Sequence, residues 1–213
     1  MNPKPAGSPP QHPAGGPNPY HTAPAGHHAQ HQHQPAHQAP PTPAPAAGGK
    51  AATTLLLVST VLVGLMAGLF FAFDVSVMPG LATGDERTYV SAMQAFNKAI
   101  DGNGLFGMAF VIALLASAAS AITEFRKGRR TVAIWVAAAT AAYFVVLMIT
   151  FTVNIPLNNE LADAGDAATM SDFSIVDSFK TTWVTTNIVR TLLCTVALTA
   201  LSRALVLYGR ATR

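Results

Sequence analysis

Charge is scarce in this chain. Asp, Glu, Lys and Arg make up 11% of its 213 residues, against about a quarter in a soluble domain, while half of the residues are apolar and the mean hydropathy is +0.34. That balance excludes an ordinary soluble enzyme and points to a protein that lives in a bilayer. Cysteine is nearly absent: Cys194 stands alone, forms no internal disulfide and, in an apolar stretch, reads as a small core residue. Histidine is missing after His37, so the apolar part offers no histidine axial ligand for haem, no di-iron Glu-x-x-His pair and no blue-copper set. No Walker-type or dinucleotide glycine fingerprint occurs. After Lys50 there are eleven basic and ten acidic side chains, a balance with no basic face, so nucleic acid is not expected as a partner.

What is present falls into two parts. Residues 1–50 hold thirteen of the fifteen prolines, all seven histidines and no acid. Such a segment cannot bury enough apolar surface to offset the entropy of ordering, which predicts a disordered Pro/His/Ala/Gly/Gln-rich tail. Its cluster His27, His28, His31, His33 and His37 has the imidazoles to collect a transition metal, but no acid or thiol fixes a geometry, and the tail reads as solvated low-complexity chain with no metal site. No apolar segment follows Met1 closely, so no signal peptide is expected, and the first hydrophobic run is read as a retained membrane helix.

Residues 51–213 form the expected membrane domain. Ala51 to Phe73, Gly102 to Thr123 and Thr131 to Val153 are uncharged runs of 23, 22 and 23 residues, each long enough at about 1.5 Å per residue to cross about 30 Å of hydrocarbon. A fourth run, from Trp183 to Tyr208, is apolar apart from Asn187, Arg190, Ser202 and Arg203. The expectation is an all-α membrane protein, a four-transmembrane-helix bundle with helices at about 51–78, 102–123, 131–154 and 183–208. Arg126, Lys127, Arg129 and Arg130 in the loop after the second helix, with Arg203, Arg210 and Arg213 at the end of the fourth, place those sides in the cytoplasm of a cell membrane, and with them both termini. In the first outer loop, Tyr89, Met93, Phe96 and Ile100 recur at helical spacing, which predicts a short amphipathic helix on the bundle mouth. The second outer loop, Pro156 to about Thr182, is long and acidic and suits either a solvated linker or a lid.

Ionisable groups at membrane depth cost a few kcal/mol unless paired or facing a cavity. Two stand out. Asp74 lies near the outer end of the first helix on a face with Gly64, Ala67 and Phe71; Arg190 lies about 10 Å into the fourth, on a stripe with Asn187 and Cys194. The simplest account pairs them. At the same level the sequence gathers Asn154, Asn158, Asn159 and Asn97, and Tyr143 and Thr150 share the Asn154 face. Two readings stay open: a polar pocket, or a hydrogen-bond network that only ties helices together. Small residues at Gly64 and Gly68, and at Ala113, Ala116, Ser117 and Ser120, suit close helix packing, the first pair also a homo-oligomer contact.

The segments GLFFAFDVSVMPGLA (68–82), AMQAFNKAI (92–100), NIPLNNELA (154–162) and WVTTNIVRT (183–191) resemble the anthrone oxygenase family, small four-helix integral membrane proteins. The resemblance runs from about Thr53 to Leu207 and leaves out the tail. Asn97, Asn154, Pro156, Asn158, Asn159, Trp183, Asn187 and Arg190 match its motif positions, while Asp74 stands where many relatives have serine. The resemblance implies oxidation of polyketide anthrones to anthraquinones by O2 with no metal or flavin, hence no cofactor, and as partners the lipid bilayer, a small lipophilic aromatic and O2. On that footing Asp74 is the expected base, with Tyr143 or a bound water as the alternative. Arg190, Asn154 and Asn187 would hold the phenolate-like oxygen, and Trp183 and Phe71 would stack on the rings. The competing expectation is a non-enzymatic membrane protein, an assembly partner or small transporter subunit whose polar cluster is structural.

Overall fold

A computed structural model describes Gly15 and residues 49–213; the histidine cluster and the expectations attached to the tail lie outside the described residues. The described chain is helical: α1 (Lys50–Ala72), a five-residue π turn (Phe73–Val77), α2 (Met78–Leu81), α3 (Glu86–Asp101), α4 (Gly104–Arg126), α5 (Arg130–Ile149), a second π turn (Thr150–Asn154), α6 (Ile155–Asp163) and α7 (Ile175–Ala211). Four stretches are long and apolar enough to cross a membrane: Lys50–Leu81, Gly104–Arg126, Arg130–Asp163 and Ile175–Ala211. α1 packs on α4 and α7, and α5 packs on the same two, so the spans close into a ring of four. Their shared core runs from Leu56 and Val63 through Val136, Tyr143 and Val146 to Leu201. Leu57, Leu65, Met108, Leu115, Ile134, Phe144, Leu192 and Val206 face outward as large exposed apolar groups, the distribution that a lipid solvent requires.

The small residues do what close packing asks of them. Ala113, Ala116, Ser117 and Ser120 are all buried on α4, and Ser117 donates to the Ala113 carbonyl at 2.7 Å. Gly64 is used inside the chain, where a Cβ would stand 3.6 Å from Leu198 of α7, whereas Gly68 faces open space. The pair therefore does not form one free face. At the arginine-rich end, Arg129 Nε and Nη2 donate to Glu124 at 2.5 and 2.9 Å, and the guanidinium lies 5.0 Å from the Tyr208 ring. Tyr208 in turn bonds Thr53 at 2.9 Å. The tight reversal between α4 and α5 needs a positive φ of 76° at Gly128, a conformation that a side chain resists.

The two π turns share a cause. Proline lacks an N–H and its ring crowds the carbonyl four residues back. Pro79 and Pro156 each stand six residues after the first residue of a π turn, so the carbonyls they would strike, those of Val75 and Thr152, lie inside it. The wider turn moves them aside, and the residue before each proline bonds five residues back, Met78 N–H to Phe73 and Ile155 N–H to Thr150. The spans thus continue past the prolines, and the third reaches Asp163, well beyond the expected end near 154.

The cap above the bundle has its own core: Met78, Tyr89, Val90, Met93, Leu161, Ala167, Val176, Phe179 and Trp183. The expected amphipathic loop helix is α3, N-capped by Asp85, which accepts from Thr88 N–H at 2.7 Å. That bond holds the Asp85 carboxyl below its ordinary pKa. The expected linker or lid from 156 to 182 is mostly helix, with only 164–174 outside α6 and α7. This stretch is fastened down: Arg87 of α3 donates to the Ala167 and Met170 carbonyls, and Gln94 donates to Leu161 and Gly165, both at 2.9 Å. α7 starts at Ile175 rather than near 183 because its first turns bury Val176 and Phe179 in the cap; its 37 residues reach about 55 Å.

Candidate functional site

Under α3, where the four spans open into the cap, lies a cavity of about 440 Å³, within the range of small-molecule sites. Its walls come from every span. Leu69, Phe70 and Phe73 line it from the first, Gly104 to Val111 from α4, Thr150 to Asn158 from the third, and Trp183, Asn187 and Arg190 from α7. Most of this wall is apolar, and the polar groups converge on one arginine.

Arg190 is 4% exposed. Its Nη2 donates to Asn187 Oδ1 at 2.8 Å and its Nη1 to Thr150 Oγ1 at 3.3 Å. The guanidinium carbon lies 4.4 Å from the Phe70 ring centroid and 5.4 Å from that of Trp183, contacts that offset part of the loss of water around a buried cation. Its Nε is buried with no hydrogen-bond partner, as are Asn154 Oδ1 and Asn97 Nδ2, and all three residues line the cavity. Buried polar atoms are ordinarily satisfied, and three of the five unpaired ones among the described residues belong to side chains on this one wall.

Asp74 and Arg190 do not pair directly. Asn187 stands between them, donating through Nδ2 to Asp74 Oδ1 at 2.5 Å and to the Phe70 carbonyl at 2.9 Å. Asp74 Oδ2 accepts from Thr191 at 2.5 Å. The guanidinium has only donors, so the amide turns its Oδ1 toward Arg190 and its Nδ2 toward Asp74 and the Phe70 carbonyl. Asp74 lies behind this bridge and is not among the residues that line the cavity.

The other expected site residues divide. Asn154, Asn158, Trp183, Asn187 and Asn97 come together at the cavity; Asn154 donates to Thr186 Oγ1 at 2.9 Å, and Trp183 Nε1 donates to Asn158 Oδ1 at 3.0 Å. Asn159 is displaced outward into a second hollow of about 750 Å³, which shares Asn97, Asp101 and Asn158 with the first. Tyr143 is fully buried and gives its hydroxyl to the Phe110 carbonyl at 3.2 Å, sealed beneath the cavity floor. Phe71 is 56% exposed and points away. The interior stripe of α1 is Leu56, Ser59, Val63, Met66 and Phe70, one residue before it, and Phe70 and Phe73 supply the rings instead.

Thr150, read from the sequence on the Asn154 face, does line the cavity, whereas Thr191 and Phe110 are not among the residues that the sequence points to. A signal was available: Thr191 lies four residues after Asn187, and the common six-residue spacing to Pro79 and Pro156 flags both π turns. π turns recur at functional sites because they re-aim side chains, and here one carries Asp74, the other Thr150 and Asn154.

No curated protein and no solved structure matches the chain. A family model described as anthrone oxygenase matches residues 93–200, just over half the chain, from the middle of α3 to the middle of α7 and so across every cavity wall except the first span; the chain belongs to the anthrone oxygenase family.

Proposed function

We propose that the cavity binds a flat lipophilic aromatic carrying a carbonyl or phenolic oxygen, and that the protein oxidises it with O2 without a cofactor. The observation that carries this reading is Arg190, buried in an apolar hollow with an N–H that the protein leaves unpaired. An arginine so placed stabilises an oxygen on which negative charge develops, and in a dry site that stabilisation is large. An anthrone fits. Loss of a proton from its activated CH2 gives an enolate whose oxygen rests on Arg190. The electron-rich carbon then reduces O2 by one electron, the two radicals join as a peroxide anion, which takes a proton back from water to become the hydroperoxide, and loss of water leaves the quinone: one anthrone and one O2 give one anthraquinone and one water. With Asp74 behind Asn187 and Tyr143 sealed by Phe110, the proton leaves through water toward the polar mouth, where Asp101 is the carboxylate on the wall. Phe70, Phe73 and Trp183 stack on the rings.

The lysines and arginines of the α4–α5 turn and of the α7 end gather opposite the cavity, which supports a cytoplasmic arginine-rich end and a cavity near the outer surface. A second reading, a non-enzymatic protein with a structural polar network, draws support from Asn187, whose amide groups are all used within the chain. Oxygen uptake by the purified protein with emodin anthrone separates the two. Turnover above the protein-free rate, lost in a folded Arg190→Ala variant, supports the oxygenase; uptake at the protein-free rate refutes it.

A further inference from the structure

The cavity has two different rims. One is polar, formed by Asn97, Asp101 and Asn158, which it shares with the outer hollow beneath α3 and α6. The other is apolar and opens sideways. Gly104, Gly107 and Val111 of α4 face Phe151 and Ile155 of the third span across it. Val111 and Phe151 line the cavity and yet are 42% and 49% exposed, as residues at the edge of an opening are. Around them, Leu105, Met108 and Ile112 are also exposed, so the breach lies within the apolar belt and faces hydrocarbon rather than water.

The backbone explains the gap. α4 packs closely along α5, whereas its approach to the second π turn and to α6 is at most marginal. The extra residue in the π turn re-aims the chain above Ile149, and the third span parts from α4 at the cavity level. The rim of α4 is bare: a Cβ built on Gly104 or Gly107 meets nothing within 4 Å, although glycine is a poor residue for a helix that has no need of it. An absent side chain in open space keeps a passage wide.

The geometry points to a lateral portal: the aromatic ligand reaches Arg190 from the bilayer, between the second and third spans past Gly104 and Gly107, and not from water through the polar mouth. Such a ligand partitions into lipid, so the membrane is its reservoir, and a route through hydrocarbon spares it a passage through water. The inference rests on the aromatic-binding reading above and adds the direction of access.

Emodin anthrone under argon, loaded into phosphatidylcholine vesicles and mixed with proteoliposomes, gives the test without chemistry. Binding is followed as quenching of Trp183 in a Trp135→Phe background. Gly107→Leu should slow association at least tenfold, with Val111→Phe as a second obstruction should the leucine variant fail to fold. Gly68→Leu, on a bare lipid-facing site of the first span, and Lys98→Phe at the polar mouth should bind at the parental rate. An unchanged rate in Gly107→Leu and Val111→Phe, or slowing by Lys98→Phe alone, overturns the portal. Absence of quenching in the parental protein overturns the aromatic-binding reading itself, and the portal with it.

Discussion

At the scale of single residues, the site is organised by what each group can donate or accept. Asp74 accepts from Asn187 and Thr191, Asn187 passes that orientation to Arg190, and Arg190 Nε is left without a partner. Arg190→Lys keeps the charge but loses the planar face held between Phe70 and Trp183, and the Nε donor with it. Oxygen uptake with emodin anthrone is expected to fall about 10²–10³-fold in Arg190→Lys as in Arg190→Ala, the loss typical of a removed oxyanion donor. Asn187→Leu breaks the bridge and strands a buried guanidinium, so it should destabilise the fold by about 3–5 kcal/mol. Cys194 reports on this directly: it is fully buried, so a thiol-reactive dye labels it only on unfolding, and labelling at a lower temperature in Asn187→Leu is the expected result.

At the scale of elements, two prolines shape two spans. Pro156→Ala relieves the crowding at the Thr152 carbonyl and lets the third span return to regular α-helix, which turns α6 about the span axis by about 100°, one residue's worth. Asn158 then leaves the Trp183 indole, and a shift of Trp183 emission in a Trp135→Phe background, with turnover lost and the bundle still folded, is expected. In the cap, Asp85 sets the start of α3. Its carboxyl has a lowered pKa in the folded state, so the capping contribution is complete above the ordinary carboxylate value of 3.8 and disappears as pH falls through the lower folded value. Asp85→Ala should lower the protection factors of the Thr88 and Tyr89 amides, their exchange rates taken relative to the unprotected rate at the same pH, and acidification below the folded pKa should do the same to the parental protein.

At the scale of the whole molecule, the bundle is pinned at one end and open at the other. The pin is Glu124 with Arg129, which joins the α4–α5 turn to Tyr208 and so to Thr53. Glu124→Leu removes one partner of a buried ion pair and should lower stability by about 3–5 kcal/mol, again read from Cys194 labelling, with little change in the cavity far away. The open end gains stability only from what fills it. A ligand held at a hundred times its Kd should stabilise the folded protein by about 2.7 kcal/mol, and Arg190→Ala should abolish that increment for emodin anthrone.

The four spans, the amphipathic α3 and the polar level of Asn154, Asn187 and Arg190 were legible in the sequence, because hydropathy and helical spacing are local properties that need no partner to be read. So were the motif segments of α3, the third span and α7, which the family match overlaps. Three things were decided only by the assembled structure. Whether Asp74 touches Arg190 depended on the asparagine one turn before Arg190 on the same helix, whose side chain stands between them. The stripe that faces inward on α1 ran through Phe70 rather than Phe71 because neighbouring spans, and not the apolar pattern of a helix that is hydrophobic all round, select the buried face. The cavity itself exists because π turns above Ala72 and Ile149 redirect two spans, and a hollow between helices is a property of their arrangement, written in no one of them.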